Sequence, residues 1–237
     1  MDNIDVKATA TGFVGMVKEI IANPVEGVKN FVNNVSWIVM AILVAVNAII
    51  NVVRGIVDNI KHDINALEYY NDRKDDLEDL ADMADMDLDD YLDYYDIELE
   101  ADTVGVFGYI KDVIFDIINV AAGIAIVAVV FFFAVKLINK IQMTWKQAFA
   151  IATINLLIYL PLRLVTEFLG IIPSFTLLSW IISAIVSVRS WGGTILTFLA
   201  VDCVCGDTKK TIYAGVPAMA VISLANSFVW FLLYSLF

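Results

Sequence analysis

Five long apolar runs alternate along the chain with shorter polar segments. A membrane-spanning helix needs about 20 mostly apolar residues, and each run is close to that length. The runs cover residues 35–52, 113–135, 148–165, 175–201 and 213–237. The pattern therefore predicts an all-α, polytopic membrane helix bundle with about five transmembrane helices, in which residues 113–237 form a four-helix transmembrane core.

Two of these runs contain residues that disturb an apolar helix. The third run holds Pro161 and Arg163, and the fourth holds Arg189 followed by two glycines. Dividing the fourth run at Arg189 would leave two pieces too short to span, so it is predicted to cross once. We expect the third span to kink near its proline and the Arg163 side chain to reach the membrane interface.

The first 34 residues predict a cytoplasmic, amphipathic segment ahead of the first span. Apolar residues between Phe13 and Ile21 recur at helical spacing until Asn23-Pro24 interrupts them. This pattern is typical of a helix that lies in the membrane interface. Because the first strongly apolar run begins only near Val35, we expect the first span to be retained rather than cleaved as a signal peptide.

Composition supports a membrane location and shows that the charge is local. Hydrophobic residues make up 60% of the chain, charged residues 18%, and the mean hydropathy is +0.78. The stretch from Asp58 to Asp102 contains 18 of the 27 acidic residues and three bases, so its net charge is −15. We interpret residues 53–112 as an acidic extracytoplasmic insertion, with two alternatives open: an amphipathic helix or a disordered segment.

Lysines in the short loops predict the orientation. The loop after the second span holds Lys136, Lys140 and Lys146, and basic loops near spans face the cytoplasm. Five spans then put the N-terminus and Lys209-Lys210 on the cytoplasmic side of the cell membrane and the C-terminus outside. These five lysines are candidates for contact with lipid headgroups or with a cytoplasmic protein partner.

Polar residues within the spans are the other candidate functional residues. Arg189 stands first, because an ionised side chain at membrane depth is costly and commonly faces a partner or a wet cavity. The alternative for Arg189 is a structural ion pair with Asp116 or Glu167, or extension along the helix to the interface. Intramembrane asparagines either line a polar path or join helices to each other, and helix contact is the favoured interpretation. They are Asn47, Asn51, Asn119, Asn155 and Asn226.

The residues needed for catalysis or metal binding are sparse. His62 is the sole histidine, and the two cysteines, Cys203 and Cys205, are too close along the chain to predict a disulfide. The aspartates between Asp82 and Asp93 lack the order of ligands found in a calcium-binding loop. We therefore expect no enzyme activity, no cofactor, no metal and no nucleic-acid partner.

Short motifs around the spans resemble a known membrane family. They are Asn23-Pro24-Val25-Glu26 before the first span, Lys146-Gln147-Ala148-Phe149 opening the third, a late proline in that span, and Lys209-Lys210 before the last. In this arrangement the chain resembles the Yip (Ypt/Rab-interacting protein) membrane family, in a bacterial form. The resemblance implies five spans, a cytoplasmic N-terminus and a non-catalytic role as a partner of other proteins. The acidic insertion and Arg189 depart from the family pattern.

Three functions follow from these features. The first is a non-catalytic membrane scaffold or adaptor that contacts the bilayer and either a cytoplasmic protein or a second copy of itself. The second is a small transporter or channel component in which Arg189 and the asparagines line a route. The third is an envelope-stress or immunity protein that binds cationic peptides through its acidic segment.

Overall fold

The computed structural model describes residues 6–170 and 176–236, with side chains from Gly12 onward except those of residues 233, 234 and 236. Nine α-helices and no strand occur in this described part, which confirms the all-α prediction. The helices are α1 (Val6–Ala22), α2 (Pro24–Asn34), α3 (Trp37–Met83), α4 (Leu88–Tyr95), α5 (Val106–Ile138), α6 (Trp145–Ile154), α7 (Leu156–Gly170), α8 (Thr176–Cys205) and α9 (Thr208–Leu236). The first five residues of the predicted N-terminal segment, the predicted start of the fourth span at Phe175 and the predicted end of the fifth at Phe237 lie outside the described residues.

Five helical stretches in the described residues are long and apolar enough to cross a membrane: α3, α5, α6 with α7, α8 and α9. This agrees with the predicted number of spans. Large apolar side chains also point away from the protein, as Trp180 and Trp191 do with exposures of 75% and 71%. A water-soluble monomer rarely exposes so much contiguous apolar surface, whereas lipid accommodates it.

The chain divides into two compact units. Unit 1 contains Met1–Ile49 and Ile118–Phe237, and unit 2 contains Ile50–Ile117. In unit 1, α2 packs against α1, α6 and α8. Its buried face meets small and aliphatic residues of α6 and α8, so a short helix outside the predicted spans supplies part of the core. The fully buried residues here are Val28, Phe31, Val32, Ala148, Ile151, Ile154, Ala200 and Val201.

The turn between α1 and α2 follows from Asn23-Pro24. The Asn23 side chain accepts a hydrogen bond from the Glu26 amide at 3.5 Å, and Pro24 begins α2, where a missing amide hydrogen costs little. The two helices then pack closely, and Asn30 donates to the Glu19 carboxylate at 2.8 Å. Ile21 remains 74% exposed, as expected for an amphipathic helix in the interface.

The third span is not one unbroken helix, and the predicted kink near Pro161 stays a prediction. The helix breaks at Asn155, six residues before Pro161, which lies inside α7. The Asn155 carbonyl accepts from both the Ile158 and Tyr159 amides, at 3.2 and 2.9 Å, so the turn tightens there. Pro161 itself cannot donate a backbone hydrogen bond to residue 157, so α7 lacks one helical hydrogen bond there.

In unit 2 much of the acidic segment is helical. α3 continues without a break to Met83, and α4 follows after a turn in which Asp85 adopts a left-handed conformation with φ 57°. Of the two alternatives for the acidic segment, helix or disorder, the structure therefore has helix over the residues of α3 and α4. Residues 97–104, which precede α5, form an irregular connection.

A polar ladder, which is a series of side-chain hydrogen bonds, joins α3 to α5 and to the connection before α5 in unit 2. Asn59 donates to Asp112 at 2.8 Å, and Asp63 accepts from the Tyr109 hydroxyl at 2.7 Å and from the Val104 amide at 2.6 Å. One turn before Asn59, a Cβ on Gly55 would lie 2.8 Å from the Asp116 carboxylate. The four-residue spacing puts these α3 positions on one helix face, opposite an antiparallel partner.

We expect Asp63→Ala to loosen the end of this ladder. The Val104 amide and the Tyr109 hydroxyl would both lose a charged acceptor, which is a comparatively strong hydrogen-bond partner. Hydrogen exchange measured by mass spectrometry should become roughly tenfold faster in peptides covering residues 97–109. Asp72→Ala, at an exposed α3 position, should leave those peptides unchanged. Equal exchange in the two variants would contradict the proposed role of Asp63.

Candidate functional site

Four of the asparagines that were predicted as candidate functional residues line one cavity in unit 1. The cavity has a volume of about 220 Å³ and is lined from the α3, α5, α6–α7 and α9 spans. Its lining residues include Asn47, Asn119, Asn155, Asn226 and Tyr159, together with Val120, Gly123, Ile124, Val127, Ala152 and Leu156. At about 30 Å³ per water in the liquid, this volume has room for several waters or one small solute. Asn51 belongs to unit 2.

The cavity lies deep along the spanning helices. Asn47 is ten residues after the start of α3, and Asn226 is ten residues before the end of α9. Asn155 is ten residues after Trp145, where the third span begins. At 1.5 Å of rise per residue, each asparagine is about 15 Å or more from the nearer helix end. Within the apolar runs, Asn47 lies five residues before the end at residue 52 and Asn119 six residues after the start at residue 113, so these two are about 8–9 Å inside their spans.

The asparagine side chains do not join the helices by hydrogen bonds. Within the described residues, the Oδ1 atoms of Asn47 and Asn155 are buried and have no hydrogen-bond partner. A buried acceptor left unpaired costs about 1–3 kcal/mol, which is a strong reason for a donor to occupy the space beside it. The Asn47 and Asn155 oxygens therefore face the cavity, and the choice between a polar path and helix contact for the asparagines as a set stays a prediction.

Arg189 contacts Tyr159, which lines the cavity, but Arg189 is not itself a lining residue. It sits thirteen residues after Thr176 and sixteen before Cys205, near the midpoint of α8. Its guanidinium is 4.7 Å from the centroid of the Tyr159 ring, and Tyr159 lines the cavity. Close packing of α8 on α7 allows this contact, since a Cβ on Gly193 would already lie 3.4 Å from the Asn155 Cβ.

Arg189 is not balanced by an acid in the part of the chain that the structure describes. No carboxylate there lies within 4 Å of its guanidinium, and the expected pair with Glu167 is not formed. A cation–π contact contributes about 0.5–2 kcal/mol, whereas an arginine at the centre of a spanning helix costs about 2.5 kcal/mol or more. The Tyr159 ring thus offsets only part of that cost.

Glu167 instead pairs with the neighbouring arginine of its own helix. Arg163 Nε is 3.6 Å from Glu167 Oε1, one helical turn away, and the Arg163 residue is only 3% exposed. Glu167 lies four residues nearer the C-terminal end of the span, and the expectation that Arg163 reaches the membrane interface stays a prediction. The Arg163 guanidinium also lies 5.7 Å from the centroid of the Tyr159 ring, so two guanidinium groups lie within 6 Å of that centroid.

The predicted lysines gather at one end of unit 1. Asn139 donates to the Lys210 carbonyl at 2.8 Å, which ties the α5–α6 loop to the start of α9. Phe132 stacks on Trp145 at 3.9 Å, and the Lys136 ammonium lies 5.3 Å from the Phe132 ring. Gln147 and Thr144 form a reciprocal cap that begins α6 beside this loop. The candidates Lys136, Lys140, Lys146, Lys209 and Lys210 thus belong to neighbouring segments.

The remaining reactive side chains form no further site in the described residues. Cys205 is buried and accepts a hydrogen bond from Asn139 at 3.3 Å, and His62 lies 3.7 Å from the Asp63 carboxylate. No group of three histidine, cysteine or acidic side chains is placed to hold a metal ion among the residues that were described.

Tyr159 was not predicted from the sequence as part of the site. A tyrosine inside an apolar span is commonly an ordinary packing residue, and its position beside both arginines depends on how α7 and α8 face each other. One signal was available: Asn155, Tyr159 and Arg163 are spaced four residues apart, so they share a helix face. Two residues of that face, Asn155 and Tyr159, line the cavity, and the third, Arg163, pairs with Glu167.

Neither a family model, a curated protein nor a solved structure matches this chain.

Proposed function

We propose that this protein is a non-catalytic, multi-pass membrane protein that recognises a small polar solute in the asparagine cavity, as a small transporter or channel component does. The observation that carries the proposal is the pair of buried Asn47 and Asn155 oxygens that lack a partner in the described residues and face a cavity between spanning helices. Amides within the spans suit a solute that exchanges its water for hydrogen bonds, because each amide both donates and accepts.

The test is solute flux through purified protein in vesicles. Swelling or efflux should exceed that of protein-free vesicles for at least one member of a panel of potassium, chloride, phosphate, alanine and glycerol. Asn155→Leu should lower that flux about tenfold or more, since it replaces a central polar wall with an apolar one. The absence of flux for the whole panel would overturn the transport proposal.

Ser227→Ala is the matched control for this experiment. Ser227 follows Asn226 on α9, but its hydroxyl is exposed and donates to the Ser223 carbonyl of its own helix at 3.0 Å. Its removal deletes a polar group from α9, which also carries Asn226, without altering the cavity lining. Equal loss of flux in Ser227→Ala and Asn155→Leu would mean that the effect reflects general disturbance of the bundle.

A scaffold or adaptor role is the second candidate, and the joined lysine loops favour it. The Asn139–Lys210 hydrogen bond places two lysine-bearing segments side by side, a surface suited to anionic headgroups or an acidic cytoplasmic partner. In this proposal the lysine end faces the cytoplasm of the cell membrane, together with the N-terminus, and the C-terminus lies outside. Membership of the Yip family and self-association remain predictions within this second candidate.

A further inference from the structure

The lining of the asparagine cavity is polar in part, but no ionised side chain belongs to it among the described residues. Its polar members are four asparagines and Tyr159, and the others are glycine, alanine, valine, isoleucine and leucine. Arg163 and Arg189 lie within 6 Å of the Tyr159 ring centroid, but neither is a lining residue. An ion that entered this space would give up its water without meeting an opposite charge in the lining, which costs far more than the transfer of a neutral molecule. The lining therefore favours an uncharged ligand.

The unpartnered atoms of the cavity are both hydrogen-bond acceptors. The Asn47 oxygen on α3 and the Asn155 oxygen between α6 and α7 are buried and accept no hydrogen bond from the described residues. An unpaired buried acceptor is costly, and a ligand that brings a hydroxyl or N–H group removes the cost. Because the two oxygens belong to different spans, they favour a ligand with more than one donor. The aliphatic lining residues suit the carbon atoms of the same ligand.

We propose that the cavity binds a small, uncharged molecule with two or more hydrogen-bond donors, the chemistry shared by short polyols, urea and primary amides. This inference rests on the proposed function and specifies its solute class. The NH₂ groups of the asparagines serve the same ligands, because the hydroxyl or carbonyl oxygen of such a molecule accepts what an amide donates. A volume of about 220 Å³ limits the ligand to a small one.

Three probes of nearly equal size and shape isolate the effect of charge: acetamide is neutral, acetate is an anion and acetamidinium is a cation. Saturation-transfer NMR follows their methyl groups with the purified full chain in a zwitterionic detergent that has no hydroxyl group, and protein-free micelles give the background. Acetamide should receive saturation from the protein, and the two ions should receive roughly tenfold less at the same concentration. Equal transfer to all three probes would overturn the inference.

Two further comparisons test the donors and the size of the ligand. N,N-dimethylacetamide is neutral but has no donor, so it should receive little saturation. Glycerol should displace acetamide, whereas sucrose, which is too large for the cavity, should not. Transfer to N,N-dimethylacetamide as strong as that to acetamide would mean that apolar contact holds the ligand, which would contradict the proposed chemistry.

Asn47→Leu and Asn155→Leu should each weaken acetamide binding about tenfold, because each removes one of the two unpaired acceptors. The two residues belong to different spans, so a folding defect in one variant, detected by circular dichroism, leaves the other to decide. Ser227→Ala is the matched control, because its hydroxyl donates to the Ser223 carbonyl of its own helix and lies outside the cavity lining. Undiminished transfer in both asparagine variants would contradict the assignment.

Binding and flux together separate this inference from the proposed function. If no probe receives saturation, water alone pairs with the two oxygens, and the inference falls even where potassium or chloride flux supports transport. Acetamide binding without flux for any solute of the panel would do the reverse, keeping the ligand class and removing transport. Acetamide binding together with glycerol flux would support both.

Discussion

Replacing Phe31 with alanine is expected to cost about 3–5 kcal/mol of stability, because the ring is fully buried and its removal leaves a cavity. Phe31 belongs to α2, which contacts both α6 and α8, so the loss affects two spans at once. Thermal unfolding in detergent, followed by helical circular dichroism, should show a midpoint lower by roughly 6–20 °C.

Ile21→Ala is the control for this variant. Ile21 carries a side chain of similar apolar character at the end of α1, but it is 74% exposed and its truncation opens no cavity. Its free energy of unfolding should stay within about 0.5 kcal/mol of that of the original protein, so its midpoint should move by no more than about 1–2 °C. If both variants unfolded at the same temperature, α2 would be a surface helix of the interface rather than part of the packed bundle.

The spans were predictable because lipid imposes them. Each stretch that crosses the hydrocarbon core must be apolar and must satisfy its own backbone, so length and hydropathy alone identify α8 and α9. Which helices face each other was not predictable in the same way. Lipid and neighbouring helices are both apolar, and an apolar stripe does not reveal which of them it meets.

The asparagines illustrate this limit. Their depth could be read directly from their positions within the spans, but an amide at a given depth is equally compatible with a helix contact and with a cavity wall. Only the packing of four spans decides that Asn47, Asn119 and Asn155 surround one space. The packing of α7 on α8, through Gly193, likewise decides that Arg189 meets Tyr159 rather than Glu167.

Local competition explains the remaining differences. The charge of Arg163 does not show that the residue is buried, and its burial depends on Glu167 one turn after it and Tyr159 one turn before it on the same helix. In the acidic segment, composition favoured neither helix nor disorder. The ladder through Asn59 and Asp63 gives those turns of α3 specific partners on α5, which composition does not record.

Gly27→Ala is expected to destabilise the protein by about 1–3 kcal/mol, although alanine is the better helix former. A Cβ on Gly27 would lie 2.7 Å from both the backbone nitrogen and the Cα of Ile20, and 2.9 Å from the Glu19 carbonyl carbon. These are backbone atoms that cannot rotate aside, so α1 must move away from α2. Thermal unfolding should occur earlier, and hydrogen exchange in peptides from α1 should become faster.

Gly15→Ala separates this steric effect from helix propensity. Gly15 also lies within a helix, α1, but no neighbouring atom comes within 4 Å of the position its Cβ would occupy. There the same substitution should stabilise the protein by about 0.5–1 kcal/mol, because alanine loses less backbone entropy on folding. Opposite signs at Gly15 and Gly27 would establish that α1 is packed against the bundle through α2. The same sign at both would mean that α1 is held by the membrane surface alone.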